Sequence, residues 1–216
     1  MEWESLQVGD YGIYQDKALG KFTRDPIDLV HFLKARPGEK GIDLCTGNGI
    51  IPLYANALYG CPFCGVDVDG AQLTLARLSA KRNHQPIPFY EMDAKSAPQA
   101  LGHGAFDLVT MNPPYFPAAA AGENPQRARQ RHGDELNALL EAAFGLLNNG
   151  GRLVMSYRAS GLVELLLLLR HQRLEPKTLS LHPVGGRAKS VYVEAKKLAK
   201  PGMDIILLGG QDTTIT

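Results

Sequence analysis

Apolar positions along the chain alternate between two spacings. Short, nearly continuous apolar runs at Gly41–Cys45, Phe63–Val68, Ile87–Glu91, Phe106–Met111 and Arg152–Tyr157 read as buried strands. Between them apolar residues recur three and four positions apart. Ile27, Val30 and Leu33 mark a helix from Pro26 to about Lys34, capped by Asp25 or Thr23 and ended by Pro37-Gly38. Ile50, Leu53, Tyr54 and Ala57 mark a second, from Ile50 to Leu58. Further helices are expected over Ala71–Arg82, from Glu135 to Leu147 behind an Asp134 cap, and over roughly Gly161–His171. Pro176–Leu181 and Ser190–Ala195 form a closing hairpin, and Ile205–Leu208 is a candidate last strand. Strands alternating with helices and ending in a hairpin predict an α/β fold. Its sheet is doubly wound and mostly parallel, with an antiparallel terminal hairpin. Residues 1–25 read as a loop or hairpin, with Gly and Tyr concentrated in GDYGIYQDKALG. No internal repeat is visible, and residues 1–216 are expected to form a single domain.

Composition narrows the function classes. The chain has 216 residues, 44% hydrophobic and 21% charged, enough for one full core. A formal net charge of +1 means that a nucleic-acid partner must be argued from local patches. The longest apolar run, Leu162–Leu169, is far too short to span a bilayer and carries Glu164. The acidic start MEWESLQVGD lacks a signal-peptide core, so a cytoplasmic location is expected. Cys45, Cys61 and Cys64 suggest no disulfide framework. Cys61 and Cys64 have metal-ligand spacing, but no second cysteine pair completes a zinc site; structural thiols and no metal are expected.

Candidate chemistry lies at strand ends. After Gly41–Cys45 comes Thr46-Gly47-Asn48-Gly49 and then a helix, a unit that lets backbone approach a nucleotide-like cofactor. Pro52 stands where a third fingerprint glycine would be, which disfavours a pyrophosphate site. Asp67 ends the next strand, about twenty residues after Gly47, where an acid accepts both hydroxyls of a ribose. Asp93, after the third strand, is placed to accept a hydrogen bond from an exocyclic amino group. Phe106–Met111 then runs into Asn112-Pro113-Pro114-Tyr115. Two prolines end the ladder with a stiff backbone. The Asn112 side-chain oxygen and the Pro113 carbonyl can each accept one N–H of a planar –NH2 group, and Tyr115 can stack on the ring that bears it. Taken alone, the same four residues also describe a proline-terminated strand with an Asn turn. Beyond them, residues 116–133 read as a long substrate loop holding Arg127, Arg129 and Arg131.

With Asp43-Leu44-Cys45-Thr46-Gly47-Asn48-Gly49, Asp67, Asp93 and Asn112-Pro113-Pro114-Tyr115 in that order, the chain resembles the class I S-adenosylmethionine-dependent methyltransferases. More narrowly it looks like the tRNA adenine-N6-methyltransferases that modify the adenine beside the anticodon of a valine tRNA. Phe22…Asp28, His182-Pro183 and Lys196-Lys197 agree with that likeness over roughly residues 6–200. It implies a Rossmann-like, seven-stranded sheet, S-adenosylmethionine as cofactor and tRNA as partner. It places the cofactor on Asp43, Thr46, Gly47, Gly49, Asp67, Asp93 and Asn112, and catalysis on Asn112, Pro113 and Tyr115. The RNA would be held by Tyr115, Phe116, Arg127, Arg129 and Arg131, with Arg187, Lys189, Lys196 and Lys197 as further phosphate contacts. His132 and His182 are expected to be loop or RNA-contacting residues. One departure is Gly133, which stands where that family commonly carries Glu. Three other readings remain. One is methylation of bases in ribosomal RNA or DNA. A second is methylation of a glutamine amide in a release factor, disfavoured by the short N-terminal segment. The third is a non-catalytic cofactor binder, disfavoured by the polar strand end.

Overall fold

The computed structural model describes residues 1–19, 24–113, 125–184 and 187–207, the side chains of 125–129 and 182–184 excepted. A hairpin of β1 (Glu2–Ser5) and β2 (Gly12–Gln15) precedes α1 (Asp25–Leu33). Then come β3 (Gly41–Leu44), α2 (Ile50–Tyr59), β4 (Phe63–Asp67), α3 (Gly70–Arg82) and β5 (Phe89–Glu91). Next are α4 (Ala97–Leu101), β6 (Phe106–Met111), α5 (Pro125–Leu146), β7 (Leu147–Arg158) and α6 (Leu162–His171). The chain closes with β8 (Leu174–Val184), β9 (Arg187–Lys197) and β10 (Asp204–Leu207). The main sheet has the order β10-β8-β9-β7-β6-β3-β4-β5. Only β9 runs against its neighbours. The expected seven strands are therefore joined by an eighth, β10, parallel to β8 at the edge.

Strand alternation divides the core into two layers. Ile42, Leu44, Val109, Met111, Leu153 and Met155 bury themselves against α5 and α6. Leu108, Val154 and Tyr192 point the other way, into the layer of α1, α2 and α3. Between β7 and its surroundings Arg152 is almost fully buried. It pairs with Glu39 at 2.7 Å and Glu194 at 3.0 Å, and its guanidinium also donates to the Leu33 carbonyl. That polar knot ties the end of α1 to the sheet, because an unpaired charge in this place would be costly.

Several local expectations change. Helix α1 starts one residue early, with Arg24 at the cap position and no side-chain cap. Asp25 instead accepts the Tyr192 hydroxyl at 3.3 Å. The helix ends at Lys34 in the left-handed region (φ 44°), before Pro37-Gly38 is reached. The hairpin uses Trp3 and its neighbours as its first strand, ahead of the Gly/Tyr stretch. Its rings close over Arg82, whose guanidinium lies 4.1 Å from the Trp3 ring. The short helix α4 was not foreseen. The largest change is at α5, which begins at Pro125, so Asp134 lies inside the helix and caps nothing. Residues 125–133 of the expected substrate loop are helical, and 116–124 lie outside the described residues. No described helix is long and apolar enough to cross a membrane.

Candidate active site

All the carboxyl ends of the parallel strands open on one edge of the sheet, and Asp43, Thr46, Gly47, Gly49, Asp67, Asp93, Asn112 and Pro113 gather there. β3 delivers Asp43, which is fully buried. The Thr110 hydroxyl, across the β3–β6 ladder, donates to Asp43 Oδ1 at 2.7 Å. Burial pushes the Asp43 carboxyl up to about 7, the Thr46 and Thr110 hydroxyls oppose the rise, and the Asp67 charge adds to it. Asp43 Oδ2 and Thr46 Oγ1 are both buried with no well-formed hydrogen bond, although the Thr46 hydroxyl is near enough to the carboxylate to oppose its rise. Buried polar atoms normally find partners, so this pair marks a place that a polar ligand group completes.

The glycine turn has two distinct jobs. A side chain at Gly47 (φ +54°) would point into open space, which leaves that stretch of backbone accessible to a ligand. Gly49 also has a packing role: a Cβ there would come within 2.8 Å of the Phe89 ring and 2.9 Å of Ala76. It is required for packing α2 onto β5 and α3, in addition to its left-handed φ of 80° at the helix start.

Asp67 is tied to this turn. Its Oδ2 accepts the Gly47 N–H at 2.7 Å and its Oδ1 the Asp69 N–H at 2.9 Å. The carboxylate is thus held in one orientation with lone pairs left for a diol. Beside it a cleft of about 220 Å³ is walled by Cys45, Val68, Met92, Asp93 and, from α5, Glu135 and Leu139. Apolar walls flanked by the carboxylates of Asp67, Asp93 and Glu135 suit a nucleoside. Asp93 faces this cleft but is engaged: it accepts the Lys95 N–H and pairs with Lys95 Nζ at 3.2 Å, so an amino group binding there must share it. Cys45, a residue with φ of 57°, lines the cleft as an inert thiol, because burial raises its pKa to about 12. Cys61 and Cys64 are buried and free. A larger cavity, about 480 Å³, opens at the opposite edge of the sheet between Phe63, Tyr90 and Phe106, and no described candidate residue lines it.

Asn112 is the first residue beyond β6, half-buried, with Pro113 buried after it. Its Oδ1 accepts a hydrogen bond from the Ser156 hydroxyl of β7. Tyr115 and Phe116 lie outside the described residues. For Arg127 and Arg129 only the backbone is described. Positions 127 and 131 lie one helical turn apart on α5, and position 129 is about 200° round from 127, so the three do not share a face. Arg131 is exposed, whereas His132 is buried and is not a surface contact. The basic residues of β9 separate as well. Ser190 pairs with Arg158 at the active-site edge, but Lys196 pairs with Arg152 toward the far one. Lys197 donates to the carbonyls of Phe144 (2.8 Å) and Leu147 (2.6 Å) and closes the end of α5. Arg187 and Lys189 therefore stay near the site, while Lys196 and Lys197 do not. Sequence reading missed Ser156 and Arg158, which stand on this edge at the end of β7. The length of β7 is the signal that could have found them.

The doubly wound sheet, the open Gly47, Asp67 at the end of β4 and the polar end of β6 fit a nucleoside-cofactor enzyme of the methyltransferase type. Comparison with known proteins agrees. The Methyltransferase small domain family matches residues 17–168. A tRNA1(Val) (adenine(37)-N6)-methyltransferase of Shewanella amazonensis is 31% identical over 100 residues, covering 45% of this chain and 42% of that protein. A release factor glutamine methyltransferase of Chlorobaculum tepidum is 32% identical over 143 residues, covering 59% and 48%. The chain thus spans about half the length of these curated relatives or less. A predicted O-methyltransferase structure from Agrobacterium tumefaciens shares the fold, with a TM-score of 0.69 at 17% identity over 87% of this chain and 90% of that one. The chain belongs to the Methyltransferase small domain family, and that membership supports S-adenosylmethionine as its cofactor.

Calorimetry with S-adenosylmethionine should show Asp67→Ala weakening affinity by about 1–3 kcal/mol, because the loss removes the proposed acceptor of the ribose diol and leaves the Gly47 N–H without its partner. Unchanged affinity would remove Asp67 from the ribose site.

Proposed function

We propose that this protein transfers a methyl group to the N6 amino nitrogen of an adenine in tRNA. The observation that carries the reading is Asn112-Pro113, placed where β6 leaves the sheet and next to the strand whose turn bears the donor cleft. S-adenosylmethionine, when bound, supplies a methyl group on a positively charged sulfur. The protein's own groups act on the acceptor. An adenine amino nitrogen is a poor nucleophile because its lone pair is delocalised into the ring. Asn112 Oδ1 and the Pro113 carbonyl accept its two N–H groups and favour a pyramidal nitrogen with the lone pair free. The N–C bond forms as the S–C bond breaks, and the positive charge moves from sulfur to nitrogen. Both oxygens then face a growing charge, so they stabilise the transition state more than the ground state. The methylated nitrogen is acidic enough to release its proton to water, so no strong base is needed. An adenine in folded RNA must first be unstacked, at a cost of a few kcal/mol. Tyr115 is the proposed stacking partner, with Phe116 beside it. Arg127, Arg129 and Arg131, together with Arg187 and Lys189, are the proposed phosphate contacts.

A second reading has a specific observation behind it: the 32% identity to a release factor glutamine methyltransferase. A glutamine amide is also a planar –NH2 group, so Asn112 and Pro113 would serve it equally. The test incubates the protein with labelled S-adenosylmethionine and either unmodified tRNA or a release factor, then identifies the product by nucleoside or peptide mass spectrometry. Label on adenine N6 supports the first reading. Label on guanine, or only on a glutamine, refutes it and leaves fold and donor site standing.

A further inference from the structure

β6 and β7 run parallel with Val109 opposite Leu153, Thr110 opposite Val154 and Met111 opposite Met155. The ladder between them ends there, because Pro113 has no N–H to offer. β7 continues to Arg158, held on its other side by β9, with Ser156 opposite Tyr192. One further step of the β6–β7 register sets Asn112 beside Ser156. Asn112 is therefore the first residue off the ladder, while Ser156 is 2% exposed in the middle of a paired strand. The Ser156 hydroxyl donates to Asn112 Oδ1. The two ends of an Asn amide have the same shape but opposite hydrogen-bonding character. An amide turned end for end would present its own N–H groups to the acceptor's N–H groups, donor against donor.

We infer that Ser156 is a positioning residue that holds the Asn112 amide oxygen toward the methyl acceptor. The oxygen has two lone pairs: Ser156 takes one and leaves the other for the acceptor nitrogen. The inference rests on the role given to Asn112 above. It is tested with an unmodified valine tRNA transcript and the single variants Ser156→Ala and Asn112→Ala, along with the double variant. Ser156→Ala should lower kcat by about 3–10-fold, the effect of one neutral hydrogen bond, with KM for the transcript and donor affinity unchanged. In the Asn112→Ala background the same change should have no further effect, because its only route to the reaction is gone. Equal effects in both backgrounds would mean that Ser156 merely supports the strand, and wild-type kcat in Ser156→Ala would also overturn the inference. If Asn112→Ala keeps full activity, or the wild type is inert on the transcript, the functional reading fails and takes the inference with it.

Discussion

Asn112→Ala is expected to lower turnover by about 10²–10³-fold, as removal of one oriented polar group from a catalytic site does. Donor affinity should hardly change. The residues proposed to hold the donor, the glycine turn and Asp67 on the neighbouring strands, are tied to each other and not through Asn112. In the proposed mechanism Asn112 meets the acceptor, where charge builds only as the new bond forms. The loss should therefore sit in kcat, with donor binding by calorimetry close to wild type. Folding should tolerate the change, since the half-buried Asn112 lies outside the ladder and, among the described residues, only Ser156 loses a side-chain partner. A variant that turns over at the wild-type rate would show that the strand end is only a proline-terminated turn. A variant that also fails to bind donor would show that the residue belongs to the cofactor site instead.

Much of this site was readable in the sequence because its parts are local. β6 ends at Met111 as expected, since two prolines stop a strand wherever it sits. Helix α2 starts at Ile50 as expected, since the Gly47–Gly49 turn fixes its entry. The offset between Gly47 and Asp67 emerges as a direct hydrogen bond. What escaped depends on partners far along the chain. Ser156 is an ordinary strand serine until the β6–β7 register sets it against Asn112. The packing role of Gly49 is hidden until Phe89, forty positions later, is seen to fill the space beside it. Lys197 looks like half of a basic patch until an antiparallel β9 carries it to the opposite edge. The start of α5 was hidden by its composition. A run rich in Arg and Gln lacks the apolar spacing that marks a packed helix, and that spacing becomes dense only from Leu136 onward.

Asp43→Asn is expected to stabilise the protein at neutral and higher pH and to weaken donor binding. In the fold Asp43 titrates near 7, against an ordinary value of 3.8, because it is buried. A carboxyl with a raised folded pKa keeps its proton longer in the fold than in the unfolded chain. Its cost is therefore absent below the unfolded value, grows as pH rises through the window between 3.8 and about 7, and is fully present above it. The cost is about 1.4 kcal/mol for each pH unit of that window. Asparagine keeps an oxygen for the Thr110 hydroxyl and carries no charge to desolvate. Denaturant unfolding at about pH 5 and about pH 8 should show the variant's advantage growing with pH, by on the order of a few kcal/mol. Parallel pH profiles for the two proteins would mean that Asp43 ionises normally in the fold. Donor binding is the proposed reason to retain so costly a group. Asp43 Oδ2 is buried with no well-formed hydrogen bond beside the open Gly47 backbone, so a cationic group of the donor would find a full negative charge there. Replacing that charge should weaken donor binding by about 1.5–3 kcal/mol, the worth of a hydrogen bond to a charged group. Below pH 7, donor binding to the wild type should then release a proton from Asp43, seen as a binding enthalpy that changes with the buffer. Asp43→Asn should abolish that dependence, and a buffer-independent wild type would show that the donor does not meet this carboxylate.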